Sequence, residues 1–529
     1  MTTIDMTAVR RAPLPRRLHL IAAIAGAFVL FGYVFAVTAW ISDDSLISMT
    51  EVWNAIHGFG FTSEPGTRIQ AFTHPLWVLL MTGAVFVTRE LFITTLGLSL
   101  LRAMGCLALV AAVAWRAAAT IEQFCFALVP LLFLSFSQGF TDYMSSGLEN
   151  PLSYALVGLI ALAGLDVDRG AIGPVRRPFL VMFLCSLLVL TRLDYAVLLF
   201  PLGLFLLFQA RRVLPIIGLI LVGVLPVLLW LAFATFYFGM PLPTTFYAKL
   251  LAGYPTIDYL HRGVSFLLAT WHFDPITICL IFAALLFGWW TRSWLVRALL
   301  FGVFFYLLYI VRSGGDFMQG RFLSVPALIG TITLCLLFAR GATLGRVALL
   351  LPLILAVTAG YTPIFQDPAT FGGRVRAVGT IDERAFYFTE YGLLSPNRKW
   401  PVVVFPTGDT PQEVGVTCGG FGALALGQPG SLTIDSCGLG DAFIARLPAI
   451  EDPHWRIGHA IRRIPEGYEE YLMGQRTALA DPGLQPLLDD IRLVGRGDLF
   501  HPKRWDAIWR LNVTFPYSYD VTALTAPQK

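Results

Sequence analysis

Two adjacent carboxylates, Asp43 and Asp44, stand where the first long apolar run ends, in "TAWISDDSLISM". A carboxylate at a lipid–water boundary can take a proton from a hydroxyl or help hold a divalent cation. The pair could equally stop one helix and cap the next, starting near Ser45. Other run ends carry similar groups. "SGLENPLSYAL" holds Glu149, and "LTRLDYAVL" holds Arg192 and Asp194. "PLPTTFYAKL" holds Tyr247 and Lys249, and "VRSGGDFMQGRFL" holds Arg312, Asp316 and Arg321. Ionisable groups near a bilayer are costly, which makes each a functional candidate; an Arg192–Asp194 ion pair is the structural alternative. Carboxylates that activate a hydroxyl, with cations that hold a leaving phosphate, suit a substrate with a phosphate headgroup and a lipid tail.

These groups need a membrane scaffold. The chain has 529 residues, 56% hydrophobic and 14% charged, against about 25% charged in ordinary soluble domains. Apolar runs of roughly 15–25 residues recur up to Tyr361, and about 20 residues span a bilayer. Connectors such as "QARR", "TRSWLVR" and "ARGATLGR" are basic and therefore cytoplasmic, so the chemistry-bearing loops face outward. The spacing predicts a basic cytoplasmic segment 1–18, an uncleaved first helix, a membrane domain 19–361 with an outer loop 41–73, and a soluble domain 362–529. Runs are expected at 264–290 and 346–361, among others. Parity requires one of 74–88, 92–115 or 122–140 to be re-entrant, peripheral or split, which leaves about eleven spans. Leu46, Met49, Val52, Trp53 and Ile56 recur at helical spacing and predict an amphipathic helix lying in the interface.

After residue 365, β-like runs such as "WPVVVFP" and "SLTID" alternate with turn residues, the texture of a small mixed α/β domain. Its segment "PHWRIGHAIRRIPEGYEEYL" suits docking near headgroups or a glycan. Cys418 and Cys437 lie in this exported part and suggest one disulfide, the alternative being two unpaired thiols. The net charge of +4 is dispersed, so nucleic acid is not an expected partner. No HExxH, CxxC or P-loop pattern occurs. No metal cage or cofactor motif stands out, and a divalent metal beside the carboxylates stays open.

The stretch "ISDDSLISMTEVWNAIHGFGFTSEPGTRIQAFTHPLW" resembles the first outer loop of GT-C-fold, polyprenyl-phosphate-dependent glycosyltransferases. "SGLENPL", "TRLDY", "PLPTTFYAK", "GGDFMQGRFL" and "IGHAIRRIPEGYEEYL" extend the resemblance. The ordered set is most similar to mycobacterial terminal arabinofuranosyltransferases and bacterial pilin arabinosyltransferases. The resemblance implies a mainly α polytopic membrane protein of GT-C type with a small C-terminal mixed α/β periplasmic domain. It implies a bacterial inner-membrane location with a periplasmic active site. The partners would be membrane lipid, a polyprenyl-phosphoryl-arabinofuranose donor and a cell-envelope glycan or glycoprotein acceptor. Carried over by position, Asp43 or Asp44 is the catalytic carboxylate. Arg192, Lys249, Arg321 and Tyr247 would meet the donor phosphate and lipid; His74, Glu149, Asp194 and Asp316 would bind substrate, the alternative for His74 being a satisfied interfacial histidine. Retention of configuration would call for a second carboxylate, such as Asp316 or Glu149. The alternatives are another polyprenyl-linked sugar, such as mannose or aminoarabinose, and a transporter of lipid-linked sugars.

Overall fold

Long Leu-, Val- and Phe-rich runs leave the backbone no water to bond, so they fold as helices that satisfy their own N–H and C=O groups. A computed structural model describes residues 14–63, 66–168, 176–210, 212–291, 293–340, 375–377, 379–401, 413–427, 431–453, 455–520 and 523–524. The expected run 346–361 and most of "WPVVVFP" lie outside them. Among the described residues, four helices are long and apolar enough to cross a membrane: Phe92–Ala117, Val213–Phe238, Trp294–Ser313 and Arg321–Ala339. Two bent pairs raise the number to six. The chain is thus a mainly α membrane protein with a small C-terminal α/β region.

One bent pair, Ile121–Leu134 with Gln138–Met144, turns through 78°. It falls in the third of the three segments among which parity demanded an irregular one. The other corrects the expectation of a continuous run over 264–290. Thr256–Phe273 and Pro275–Thr291 meet at 109°. Asp274 stands at the corner with φ −141° and ψ 67°, and its carboxylate accepts the Thr277 N–H. A residue before proline is pushed out of the helical region, and Pro275 is well suited to open the next helix.

The chain divides into two compact units. The first unit comprises Met1–Ile41, Thr95–Val227 and Leu260–Arg398. Its centre is the helix Ser324–Ala339, buried along almost its whole length. That helix packs on Pro275–Phe287 closely enough that a Cβ at Gly330 would stand 2.6 Å from the Leu280 carbonyl oxygen. Residues 380–393 belong here. Ile381 N–H donates to Phe317 O (2.7 Å), Gln319 N–H to Ile381 O (3.0 Å), and Leu393 N–H to Ala39 O (2.8 Å).

The second unit comprises Ser42–Thr94, Leu228–Tyr259 and Lys399–Lys529. Strands Glu413–Thr417 and Ser431–Asp435 pair in parallel, connected by the helix Phe421–Gly427. Ile434, Phe443, Leu487, Leu488, Ala507 and Leu511 form a core beside them. The helix Asp43–Ile56 packs against Pro75–Thr88 and Phe421–Gly427. Leu46, Met49 and Val52 are buried, and so are Ser48, Glu51 and Asn54 on the other sides. This overturns the expected interfacial helix: the apolar spacing was read correctly, but protein covers the polar faces as well.

Candidate functional site

The second unit gathers one set of groups. Ser42 caps the helix Asp43–Ile56, its hydroxyl accepting the Ser45 N–H at 3.2 Å. Asp43 and Asp44 therefore occupy the first turn, where the helix dipole favours anions. Their fates differ. Asp43 is buried, and its carboxylate accepts the N–H groups of Ala423 (2.9 Å) and Gly422 (3.3 Å). Burial raises its pKa against the lowering effect of those N–H groups. Asp44 is half-buried. One turn on, Ser48 bonds His74 Nε2 at 2.8 Å. Glu51 is fully buried and accepts the Ala71 N–H at 3.1 Å, and burial holds its carboxyl well above the usual range.

The loop that grips Asp43 begins at Cys418, which is disulfide-bonded to Cys437 with Cα atoms 5.1 Å apart. Gly419 (φ +118°) and Gly420 (φ +70°) turn the chain into the gripping helix, a backbone shape that L side chains rarely adopt. A Cβ at Gly419 would lie 3.9 Å from the His459 ring. Burial, then the nearby Arg456 charge, lowers the His459 pKa to about 3, with Lys249 adding to the effect. The ring is therefore neutral at ordinary pH.

Arg462 holds these parts together. Its Nε donates to Leu447 O (2.8 Å), and its Nη1 donates to Cys437 O (2.7 Å) and Ala460 O (2.8 Å). Nη2 donates to Ala248 O, beside Lys249. Trp455 stacks on Tyr254 at 4.0 Å and meets Tyr259 edge-on at 5.2 Å. The segment expected to dock headgroups or a glycan thus places Trp455 and Arg462 inside the protein. Lys249 is exposed on the short helix Thr244–Leu250. Tyr247 donates its hydroxyl to Asn512 Oδ1 (2.9 Å), with the Arg446 guanidinium 4.6 Å above its ring.

The first unit gathers a second set. Glu149 is fully buried, and Arg321 Nη2 donates to both of its oxygens at 3.2 Å. Arg192 Nη1 lies 3.5 Å from Glu149. Arg192 also grips Asp194 through Nε (3.0 Å) and Nη2 (2.7 Å), and Tyr306 donates to the same carboxylate at 2.8 Å. Two acids and two guanidinium groups balance in charge, and Phe322 covers Arg192 at 4.1 Å. Asp316 is buried nearby in sequence, flanked by Gly315 and Phe317. A separate ion pair joins Asp142 to Arg384 (2.6 Å), and Gln138 donates to Asp382 at 2.8 Å.

Of the residues chosen from sequence, Glu149, Arg192, Asp194 and Arg321 meet in one network. Asp43, Asp44, His74, Tyr247, Lys249, Cys418 and Cys437 belong to the other unit. His459, Arg456, Arg462 and Arg384 were not singled out, although the first three lie in a stretch noted as basic and aromatic. Among the described residues, no group of three or more His, Cys, Asp or Glu side chains is arranged to hold a metal ion.

The fold and site define a membrane protein with two polar clusters, one ion-paired and one held by backbone N–H groups. No family model matches the chain. The terminal β-(1→2)-arabinofuranosyltransferase of Mycobacterium tuberculosis is 28% identical to it over 440 residues, covering 72% of this chain and 67% of that protein. Among solved structures, the archaeal oligosaccharyltransferase AglB from Archaeoglobus fulgidus, in complex with an inhibitory peptide and a dolichol-phosphate, gives a TM-score of 0.46 at 13% identity. The match covers 83% of this chain and 66% of that one, so this chain spans just under two-thirds of its length.

Proposed function

We propose that this chain is a GT-C-type membrane glycosyltransferase that moves a sugar from a polyprenyl-phosphate lipid to an extracytoplasmic acceptor. Arabinofuranose is the sugar to which the similarity with the mycobacterial enzyme points. The observation that carries the mechanism is the unequal treatment of two neighbouring acids. Asp43 is held by Gly422 and Ala423, whereas Asp44 stays half-buried at the same helix start. Asp44 is the group assigned to take the proton from the acceptor hydroxyl. That oxygen bonds to the anomeric carbon while the bond from carbon to phosphate oxygen breaks. The polyprenyl phosphate leaves with the electron pair. Lys249 and Arg456, both close enough to act on His459, are the cations assigned to the leaving phosphate. Arg192 and Arg321 are assigned to bracing Glu149, because their guanidinium groups already face carboxylates.

The test offers purified protein either prenyl-phosphoryl-arabinofuranose or the corresponding mannose lipid, with an arabinan oligosaccharide as acceptor. Extension from the arabinose donor, lost by about a hundred-fold or more in Asp44→Asn with folding intact, is the expected result. Extension from the mannose lipid alone would keep the enzyme class and replace the sugar. Full activity in Asp44→Asn would remove Asp44 from the mechanism. Binding of either lipid without transfer to any acceptor would favour a carrier of lipid-linked sugars.

A further inference from the structure

The helix Pro502–Asn512 has two apolar faces. One is buried, with Ala507, Ile508 and Leu511 in the core of the second unit. The other is open. Trp505, Trp509 and Val513 follow one another at spacings of four and are 44%, 60% and 57% exposed. Residues four apart share a helix face, so they form one stripe. Phe500, just before the helix, is 76% exposed. A helix apolar on both sides needs a cover for each.

The position of the stripe indicates its cover. Phe236 lies in the last turn of Val213–Phe238, a 26-residue candidate membrane span. Its ring is 5.6 Å from Phe500 and 6.3 Å from Trp505. The inner face of the helix is latched to the end of that span. Arg504 Nη2 donates to Tyr237 O (3.1 Å) and Asn512 Nδ2 to Gly239 O (2.8 Å). These carbonyls end a helix and have no partner further along it. The open stripe therefore continues the exposed apolar surface of a membrane-crossing helix at the level where the helix stops. That level is the headgroup boundary, where tryptophan is favoured because its ring is apolar and its N–H can stay wet.

We propose that the helix Pro502–Asn512 is a membrane-interface anchor, with Trp505, Trp509, Val513 and Phe500 seated among lipid headgroups and upper acyl chains. The anchor fixes the height of the C-terminal region above the bilayer. It rests on the span and the stripe alone and holds whichever substrate the protein uses.

The chain has 13 tryptophans, so the test is a difference measurement. Wild type and the Trp505→Phe/Trp509→Phe variant, which keeps both rings apolar, are placed in phosphatidylcholine nanodiscs with plain or 6,7-dibrominated chains. Subtracting the two emissions isolates Trp505 and Trp509. The expected result is that bromine removes at least about half of this difference emission, the behaviour of rings at an interface. An arabinan oligosaccharide should leave its acrylamide quenching unchanged. Difference emission indifferent to bromine would overturn the anchor. Shielding by the oligosaccharide in place of quenching by bromine would make the stripe a glycan surface, and would equally overturn it.

Discussion

The polar clusters of the two units hold their carboxylates in different ways, although Asp274 of the first unit rests on backbone N–H groups and Asp490 of the second pairs with Arg510. In the first, Glu149 and Asp194 face Arg192 and Arg321, and Asp142 faces Arg384, each at hydrogen-bonding or near-contact range. In the second, Asp43, Asp435 and Asp441 are held chiefly by backbone N–H groups. Asp435 accepts from Cys437 (2.9 Å), Leu439 (2.6 Å) and Gly440 (3.0 Å), and Asp441 from Phe443 (2.9 Å) and Ile444 (3.0 Å). An arginine fork fixes charge and geometry together. Burial raises all three of these acids against the lowering effect of the N–H groups that hold them. The first arrangement suits a rigid brace. The second ties its acids to the backbone of neighbouring loops.

The largest effect should come from unbalancing the brace. Glu149→Leu leaves two buried guanidinium groups sharing one carboxylate, and removing one partner from a buried ionic cluster costs about 3–5 kcal/mol. Thermal unfolding in detergent, followed by size-exclusion recovery, should show a large drop. A melt equal to wild type would mean the cluster is open to water. The second unit should be hit next by removing its covalent tie. Cys418→Ser with Cys437→Ser frees a loop of sequence separation 19, and such a closure is worth about 3 kcal/mol. Calorimetry with and without reductant should give that loss in wild type and no response in the double variant.

The acidic pair sharpens the contrast inside one helix turn. Asp43→Asn keeps one acceptor oxygen but turns the other atom into a donor facing a donor. It should lower stability by about 1–2 kcal/mol and reduce turnover with it. Asp44→Asn should lose turnover far beyond what its change in stability accounts for. Parallel melts and transfer assays separate the two roles. Equal losses in both readouts for both variants would dissolve the distinction between holder and base.

Residues that act near their own apolar run were legible in the sequence, and residues that act through distant partners were not. Arg192 and Asp194 are two positions apart, and their pairing was one of the two readings open. The corner at Asp274 was visible as an Asp-Pro step inside an apolar run, but hydropathy overrode it. Arg384 could not be read: its partner Asp142 lies 242 positions away. No local periodicity marks residues 380–393 as part of the first unit. Gly419 and Gly420 looked like ordinary turn residues, and only the packing of Phe421–Gly427 on Asp43–Ile56 gives them their task. The acidic helix failed in a different way. Its apolar stripe is real, but spacing cannot tell a lipid cover from a protein cover on the remaining faces.

A pH-dependent effect tests the protonation of one acid held largely by backbone N–H groups. Asp441 is half-buried and accepts the Tyr468 hydroxyl at 2.9 Å as well as its two N–H groups. Burial pushes its pKa up to about 6, and Asp435 adds to the rise. The protonated form is therefore favoured in the folded state. Its contribution to stability is complete below the unfolded value near 4 and is lost as pH rises through about 6. Between about pH 4.5 and about pH 7.5 the loss amounts to about 2 kcal/mol. Asp43, Asp435 and Glu51 share this sign, whereas His459, lowered to about 3, has the reverse. The wild-type curve is thus a composite, and the difference from Asp441→Asn isolates one group. Asparagine can accept the N–H groups at one atom and donate to Tyr468 from the other. The variant should therefore gain on wild type as pH rises across that window. A constant offset between the two melts would mean that Asp441 stays ionised in the fold, its backbone donors outweighing the cost of burial.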